Sequence, residues 1–166
     1  LKFDMCRRLS ELNKKIGDVW GAHIINSNSN QTEYYGGAIF SYLLFKSKSI
    51  LTKSELAKNI EDKGLYISGA FIGFSRAAYE IVGPFCEDFF LYFEEIEWFF
   101  RAHRKLGRKL NIVVLDGIRL NHTIGGSTGN AQIGYKKSSV AEYYSARARI
   151  LFARKVGPFY IISAVL

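Results

Sequence analysis

The stretch that most constrains the fold covers residues 83–101 and reads GPFCEDFFLYFEEIEWFFR. Its aromatic side chains call for burial, yet three carboxylates, Glu94, Glu95 and Glu97, stand among them. Burial and mutual repulsion both raise the pKa of a carboxyl group, so this cluster can supply a proton acceptor tuned toward neutral pH. Acidic residues near a helix start also commonly act as caps or helix-dipole partners, which is the simpler interpretation. We expect any chemistry that the chain performs to lie here.

Length and composition describe one globular domain, residues 1–166, which is long enough for a substantial core and too short to expect two domains. Hydrophobic residues make up 48% and aromatic residues 15%, unlike a disordered chain. The formal net charge of +8 favours a polyanionic partner: nucleic acid, an anionic membrane surface or a phosphorylated small molecule. The sign of the charge does not choose among these.

The cysteines and the chain ends give two further expectations. Cys6 and Cys86 lie far apart and form no CxxC or Cys/His ligand pattern, so we expect reduced thiols in a cytosolic protein. No apolar run reaches the roughly 20 residues needed to span a bilayer. The first residues resemble the inside of a helix, and residues 159–166 end within an apolar run. We therefore expect the chain to be a fragment of a longer protein.

Residues 1–64 predict an opening helix, a strand and loops. The amphipathic helix covers residues 1–16, the strand covers residues 19–25, and a polar surface loop covers residues 26–32. The glycines within residues 34–40 permit a turn or a close backbone approach. Residues 46–63 lack a clean periodicity, and we treat them as a mobile loop containing at most a helical turn.

Residues 65–130 predict the central part of the fold. Residues 65–74 form the strongest strand candidate, and Gly69 and Ala70 leave space beside it for another backbone or a ligand. Along the second helix, Arg101 stands four residues after Glu97 and can pair with it. The other elements predicted here are a helix capped by Ser75 (76–82), a helix stopped by Gly107 (95–105), a strand (110–115), its continuation or the next strand (119–122), and a loop (123–129).

Residues 131–166 predict a basic helix, 138–155, followed by an apolar tail. The helix has one set of apolar positions spaced for burial: Val140, Tyr144, Ala148 and Leu151. Its basic side chains are most simply a solvated face, although beside an apolar tail they also suit anionic lipid headgroups: Arg147, Arg149, Arg154 and Lys155. The order of elements predicts an α/β or α+β domain with a mixed sheet flanked by helices.

Several of these features occur together, in one order, in a known family. The order is a small-residue strand, Arg, Gly-Pro-Phe, Phe-Phe-Leu-Tyr, Glu-Glu-x-Glu, a helical Arg and Gly, then a strand ending in His and a Gly-Gly-Ser loop. This order resembles that of family 2 glycosyltransferases. The pattern is most similar to the rhamnosyltransferase-like enzymes that build bacterial surface polysaccharides, and it covers roughly residues 66–155. The resemblance implies the C-terminal, acceptor-side part of a GT-A fold, without its N-terminal nucleotide-binding half.

The resemblance also implies roles for single residues. Glu95 matches the general base that deprotonates the acceptor hydroxyl for inverting attack on a nucleotide-sugar, and Glu94 is the second candidate base. His122 matches a histidine that helps to bind a divalent ion, although a structural histidine remains the alternative. The implied substrate-binding residues include Gly69 and Ala70, which leave space beside the predicted strand. The others are Glu97, Trp98 as a sugar-stacking ring, Arg101, and Arg147 of a Tyr-Tyr-x-x-Arg helix.

The main departure from the family is that no two aspartates stand as Asp-x-Asp, the motif through which GT-A enzymes bind nucleotide and metal. We therefore expect Mg²⁺ or Mn²⁺ in the intact protein, with none bound tightly by this chain, which should be inactive alone. The expected partners are a nucleotide-sugar donor and a glycan or lipid-linked acceptor, in the cytoplasm with peripheral contact at the inner membrane face; nucleic acid is not expected. The alternative is a non-catalytic basic module that binds a polyanion such as a phosphorylated glycan, an anionic membrane or nucleic acid.

Overall fold

The computed structural model describes residues 17–123 and 138–165, except for the side chain of Asp116. The strands are β1 (Val19–Asn26), β2 (Thr32–Tyr35), β3 (Gly37–Ser41), β4 (Lys46–Ser49), β5 (Leu65–Ile67), β6 (Gly73–Phe74) and β7 (Ile112–His122). The helices are α1 (Lys53–Asn59), α2 (Arg76–Val82), α3 (Glu94–Leu106), α4 (Ser139–Val156) and α5 (Tyr160–Val165). The chain is therefore α/β, with a mixed sheet and helices, as predicted. The helix predicted at residues 1–16 lies outside the described residues, as does most of the predicted loop at residues 123–129.

The mixed sheet is built around β1. β7 runs parallel to β1, from the pair Val19 and Ile112 to the pair Asn26 and His122, with a bulge on the way. β2 and β6 pair antiparallel with β1 at its two ends. The segments predicted at 110–115 and 119–122 thus belong to one continuous strand, which was one of the two alternatives. Because β1 and β7 are parallel, their carboxyl ends meet at one edge of the sheet.

A second sheet, in the order β4-β3-β5, corrects the prediction of a loop at residues 46–63. β4 pairs antiparallel with β3, although its sequence, Lys-Ser-Lys-Ser, has no apolar residue to reveal a strand. α1 begins after Thr52, whose Oγ1 accepts a hydrogen bond from the Glu55 N–H at 3.2 Å. Glu55 in turn accepts from the Leu51 N–H at 2.8 Å. The Thr-x-x-Glu spacing is a helix-start signal that the search for periodicity missed.

The predicted continuous strand at residues 65–74 is wrong, because the chain turns within it. β5 belongs to the second sheet and β6 to the first. Ser68 ends β5: its N–H donates to the Gly36 carbonyl at 3.1 Å, and its own carbonyl accepts from the Phe71 N–H at 3.2 Å. Gly36, at φ +87°, provides the turn expected within residues 34–40. The small residues that suggested space beside a strand therefore form a turn between two strands.

The helices begin and end largely where their caps predict. Ser75 accepts a hydrogen bond through Oγ from the Ala78 N–H at 3.1 Å, and Gly107, at φ +63°, ends α3. In α4 the buried positions are Ala141, Ala148, Phe152 and Ala153. Val140, predicted to be buried, is 57% exposed, because small alanines and Phe152 form the packed face instead. No helix within residues 17–123 and 138–165 has the length and apolar character needed to cross a membrane.

The main core is rich in aromatic rings and joins the second sheet to α3 and α4. Phe40 of β3 lies 5.1 Å from Phe45, 5.7 Å from Phe93 and 5.5 Å from Phe152, measured between ring centroids. Phe152 is fully buried. Edge-to-face and tilted ring pairs of this kind add to the free energy gained by burial. This packing fixes Phe93, the residue immediately before the acidic start of α3.

Candidate functional site

The acidic start of α3 follows a strained piece of backbone. Tyr92 and Phe93 both have φ +68°, a left-handed conformation that costs roughly 1–2 kcal/mol for each such non-glycine residue. No side chain caps the helix at Phe93, although its carbonyl accepts the Glu97 N–H at 2.9 Å. The Phe93 ring is held in the core, 5.7 Å from Phe152. Core packing therefore sets the direction in which Glu94 and Glu95 leave the turn.

Glu95 lies against the turn that follows β5. A Cβ added to Gly69 would stand 3.7 Å from Oε1 of Glu95, and the Gly69 N–H hydrogen-bonds to this carboxylate. Oε2 is closed to water and has no hydrogen-bond partner among the described residues. Burial, assisted by the charge of Glu94, raises the pKa of Glu95 to about 7, against the opposing hydrogen bonds from the Glu95 and Gly69 N–H groups. Glu95 and Gly69 are therefore in contact, and both were expected to belong to the same site.

Glu94 is the second carboxylate of this site. It is half-buried, and its Oε2 is closed to water without a partner in the described part of the chain. Burial raises the pKa of Glu94 as well, partly opposed by a hydrogen bond from its own N–H. Each ionised carboxyl group disfavours the ionisation of its neighbour, so the two groups raise the proton affinity of the site together. This arrangement can accept a proton from a bound hydroxyl group.

Glu97 and Arg101 form the predicted ion pair, with Nη2 to Oε2 at 3.0 Å. Glu97 is only 4% exposed, and it lies about 200° around the helix from Glu95, since successive residues are about 100° apart. Arg101 also donates to the carbonyls of Val82 and, at 2.7 Å, Pro84. The pair therefore ties α3 to the end of α2. This position does not favour the substrate-binding role expected for Glu97 and Arg101.

Trp98 is a correction to the sequence analysis. Its side chain is completely buried, and Nε1 donates to the Gly83 carbonyl at 2.8 Å. The Phe74 ring lies 4.4 Å away. An indole with no accessible surface cannot stack on a sugar, so Trp98 is a core residue.

Accessible aromatic rings lie instead where α4 meets the loop before α3. Phe90 is 72% exposed and Tyr143 is 62% exposed, and both contact Tyr144, with ring centroids 4.7 and 5.2 Å away. Arg147 holds the loop by donating to the Asp88 carbonyl at 2.7 Å. We call Phe90, Tyr143 and Tyr144 the aromatic platform. The Tyr-Tyr-x-x-Arg pattern is visible in the sequence, whereas Phe90 is there one of many aromatic residues in the stretch 83–101.

Two further predicted site residues are Ala70, which lies in the turn beside Gly69, and His122, which lies at the end of β7. Ala70 is exposed in the turn beside Gly69, and its N–H donates to Ser68 Oγ at 3.3 Å. His122, at the end of β7, contacts Glu33 of β2, with Nδ1 and Oε2 2.9 Å apart. No group of three or more His, Cys, Asp or Glu side chains in the described ranges could hold a metal ion. His122 and Glu33 thus offer two ligands to a metal.

The basic residues of α4 are less free than a solvated face would be. Lys155 Nζ lies 3.5 Å from Asp88 Oδ2 and donates to Cys86 Sγ at 3.3 Å. With Arg147, this fixes the loop before α3 to α4. Arg154 is exposed, as predicted. Cys86 is a free cysteine, whereas Cys6 lies outside the described residues.

A cavity of about 650 Å³ lies at the other end of α3, where Phe100, His103, Arg104 and Gly107 line it. Glu95 and Arg104 are about 13 Å apart along the helix axis, at 1.5 Å per residue. The cavity therefore belongs to a different part of the molecule from the two carboxylates.

Comparisons with known proteins found no match for this chain among protein-family models, curated proteins or solved structures.

Proposed function

We propose that this chain is the acceptor-side part of an inverting, family 2-like glycosyltransferase with a GT-A fold. Such an enzyme transfers a sugar from a nucleotide-sugar to a glycan or lipid-linked acceptor in surface polysaccharide synthesis. The observation that carries the proposal is Glu95, whose carboxylate is raised to a pKa of about 7 by burial beside Glu94 and lies against Gly69. The order of the motifs in residues 66–155 and the mixed α/β arrangement support it.

In this proposal Glu95 is the general base. An acceptor hydroxyl attacks the anomeric carbon of the donor, the bond from that carbon to the diphosphate oxygen breaks, and the hydroxyl proton passes to Glu95. A base with a pKa of about 7 is both ionised in part at neutral pH and strong enough to assist the attack. Burial, assisted by the charge of Glu94, keeps that pKa high. Gly69 lacks a side chain and so leaves the approach to Oε1 open.

The aromatic platform is the proposed binding surface for the acceptor glycan. Phe90 stands four residues before Glu94, and the exposed Phe90 and Tyr143 rings offer apolar faces of the kind that sugar rings cover. Arg147 and Lys155 then act by holding the loop that carries Phe90. The platform takes over the stacking role that the sequence analysis had given to Trp98.

Donor and metal binding are assigned to a part of the protein other than these residues. The sequence contains no Asp-x-Asp, and within residues 17–123 and 138–165 His122 and Glu33 supply only two ligands, too few for a catalytic divalent site. We propose that Mg²⁺ or Mn²⁺ and the nucleotide bind to a nucleotide-binding half carrying that motif, in the cytoplasm at the inner membrane face.

A basic module that binds a polyanion is the second candidate, and the net charge of +8 is the observation in its favour. Of the four basic residues on α4 that the sequence analysis named for such a face, Arg147 and Lys155 are engaged with the loop before α3. That leaves a smaller basic surface than the sequence suggested. We therefore place this function second.

Donor-binding calorimetry separates the two halves of the proposal. The 166-residue chain should show no tight binding of nucleotide-sugars, whereas a chain that also carries an Asp-x-Asp half should bind one with Mg²⁺ or Mn²⁺ present. Tight donor binding by the 166-residue chain alone would overturn this division of labour. The polyanion module predicts instead that neutralising the basic face of α4 from Arg147 to Lys155 abolishes function while Glu95→Gln is harmless.

A further inference from the structure

The cavity at the C-terminal end of α3 has an apolar floor. Aromatic and aliphatic side chains from β3–β4, α3, β7, α4 and α5 line it, namely Tyr42, Phe100, Leu110, Ile112, Val156 and Tyr160. Burial raises the pKa of Tyr42 to about 12, so its phenol is neutral at physiological pH. The floor therefore suits a hydrocarbon or another apolar group.

Four cations line the same cavity, and two of them have no ion pair within residues 17–123 and 138–165. Arg108 is committed to Asp18, at 2.6 and 2.8 Å, and Lys109 pairs with Glu61. Lys63 has no ion pair within the described residues, and the Arg104 guanidinium is held only over the Phe100 ring, 5.5 Å from its centroid. Lys63 and Arg104 outnumber the one lining carboxylate that has no ion pair in the described part of the chain, Asp62, so the charge of the rim is positive.

Two carboxylates also line the cavity: Glu61 is paired with Lys109, whereas Asp62 offsets one of the two remaining cations. Asp62 lines the cavity, and its Oδ1 accepts the Gly64 N–H at 2.7 Å. His103 is half-buried, its Nε2 has no partner in the described structure, and burial with the nearby charge of Lys63 lowers its pKa. A neutral imidazole adds a hydrogen-bonding group and no charge. The rim is therefore suited to an anionic head such as a phosphate.

Exposed apolar side chains stand next in sequence to two residues that line the cavity. Leu43 and Leu44, 75% and 64% exposed, follow the cavity-lining Tyr42, and Phe159, 89% exposed, precedes the cavity-lining Tyr160. The two segments are neighbours, because the rings of Phe45 and Tyr160 are 6.5 Å apart. Ile162 and Val165 extend the same apolar segment and are 70% and 68% exposed. We call these five exposed residues the apolar rim.

We propose that this cavity binds the phosphate head of a membrane lipid, with Lys63 and Arg104 on the phosphate and the apolar rim in the bilayer interface. A soluble phosphate compound would account for the cations but would leave the apolar rim facing water. Apolar side chains beside unpaired cations are the combination that an anionic lipid surface stabilises. The proposal does not rest on the glycosyltransferase assignment, because the cavity and Glu95 are about 13 Å apart along α3.

Vesicle co-sedimentation of the 166-residue chain tests the proposal. We expect binding to phosphatidylcholine vesicles that contain phosphatidic acid, and much weaker binding to phosphatidylcholine alone. Lys63→Gln with Arg104→Gln should reduce the partition coefficient by at least about fivefold, because each basic residue near an anionic surface contributes about that factor. The matched control is Arg76→Gln with Arg119→Gln, which removes the same charge from exposed positions away from the cavity and should reduce it less than about twofold. Unchanged circular dichroism and melting temperature show that each variant is folded.

A second variant tests the apolar rim. Leu43→Ser with Leu44→Ser should weaken vesicle binding while leaving the fold intact, since both side chains are largely exposed. Equal losses in the two charge variants would overturn the proposal in favour of diffuse attraction by the net charge of +8. Inorganic phosphate that raises the melting temperature through Lys63 and Arg104, without vesicle binding, would assign the cavity to a soluble phosphate compound instead. A dimer in solution that the leucine variant abolishes would assign the apolar rim to a second copy of the chain.

Discussion

The Glu95 carboxylate and Gly69 are in contact across the gap between α3 and the turn after β5, with Oε1 3.7 Å from the position of a Gly69 Cβ. Neither residue is near the other in sequence, and their contact depends on β5 ending at Ile67. This contact provides the hydrogen bond from the Gly69 N–H to the Glu95 carboxylate, and the missing side chain of Gly69 leaves room beside the carboxylate.

Gly69→Ala tests this contact. The added methyl fits, because 3.7 Å is an ordinary contact distance, and Gly69 is not at positive φ. We expect the free energy of unfolding to stay the same or rise by up to about 1 kcal/mol, and the pKa of Glu95 to rise as its oxygen loses water. Gly107→Ala is the matched control: at φ +63° the same change should cost about 1–2 kcal/mol. Urea unfolding and carbon NMR titration of the glutamate carboxyls measure both quantities, and an unchanged or lower Glu95 pKa would argue against the contact.

Glu94→Gln tests the coupling of the two carboxylates. Removing the Glu94 charge should lower the pKa of Glu95 from its value of about 7, because that charge is its second-largest cause after burial. In an active enzyme the ascending limb of the pH profile should move to lower pH by the same amount. Glu80→Gln, which removes a charge from an exposed position on α2, should leave the Glu95 titration unchanged. If the pKa of Glu95 is the same in the wild type and in Glu94→Gln, the two carboxyl groups titrate independently.

Glu95→Gln should stabilise the protein at alkaline pH. The folded state holds the Glu95 proton up to a pKa of about 7, against an ordinary value of 4.5, so it binds more protons than the unfolded state across that window. The free energy of unfolding of the wild type therefore falls as pH rises from about 4.5 to 7. We expect the variant to exceed the wild type by about 1–3 kcal/mol at pH values above this window and to match it below.

The control for that prediction is Glu97→Gln on the same helix. Glu97 is buried and paired with Arg101 at 3.0 Å, so its loss leaves a charge without its partner. Stability should drop by about 3 kcal/mol at neutral pH, opposite in sign to Glu95→Gln. Thermal unfolding over a pH series gives both values. Destabilisation by Glu95→Gln at alkaline pH would contradict the account of a strained, desolvated carboxylate.

Asp18→Asn should destabilise the junction of β1 and β7. Asp18 is 8% exposed and accepts hydrogen bonds from Arg108 at 2.6 and 2.8 Å and from the Asn111 N–H at 2.8 Å. These contacts hold the pKa of Asp18 below its ordinary value, and the hydrogen bond from Arg108 has the largest effect. We expect a loss of about 2 kcal/mol at neutral pH. Because the folded pKa is lowered, this stabilisation is present above the ordinary pKa near 3.8 and is lost as pH falls below it.

The exposed pair of Lys109 and Glu61 offers the comparison for Asp18. Both side chains are about two-thirds exposed, at 69% and 66%. Glu61→Gln should therefore change stability by less than about 0.5 kcal/mol. Equal effects of Asp18→Asn and Glu61→Gln would show that burial does not decide the strength of these two pairs.

Local signals in the sequence predicted several elements that depend on local interactions, although the Thr52 cap of α1 was missed. Ser75 caps α2 and Gly107 ends α3 because a cap needs only its neighbours along the chain. β1 was predicted from its own apolar residues, and the Glu97–Arg101 pair from helical spacing. These predictions required no knowledge of the tertiary structure.

Elements that depend on distant partners could not be predicted in the same way. β4 is a strand only because β3 pairs with it, and residues 65–74 divide because β5 and β6 join different sheets. Trp98 resembled a ligand-stacking ring in sequence, but the burial that excludes this role comes from Phe74 and the Gly83 carbonyl. In the site, the sequence indicated the carboxylates, whereas the aromatic platform depends on how α4 packs.

The most direct test of the central claim is sugar transfer by a chain that joins an Asp-x-Asp half to residues 1–166, comparing the wild type with Glu95→Gln while donor binding is measured in parallel. If Glu95 is the general base, turnover should fall by about 100-fold or more and donor affinity should stay within about twofold. Turnover that is unchanged in Glu95→Gln, with the same donor affinity, would contradict the assignment.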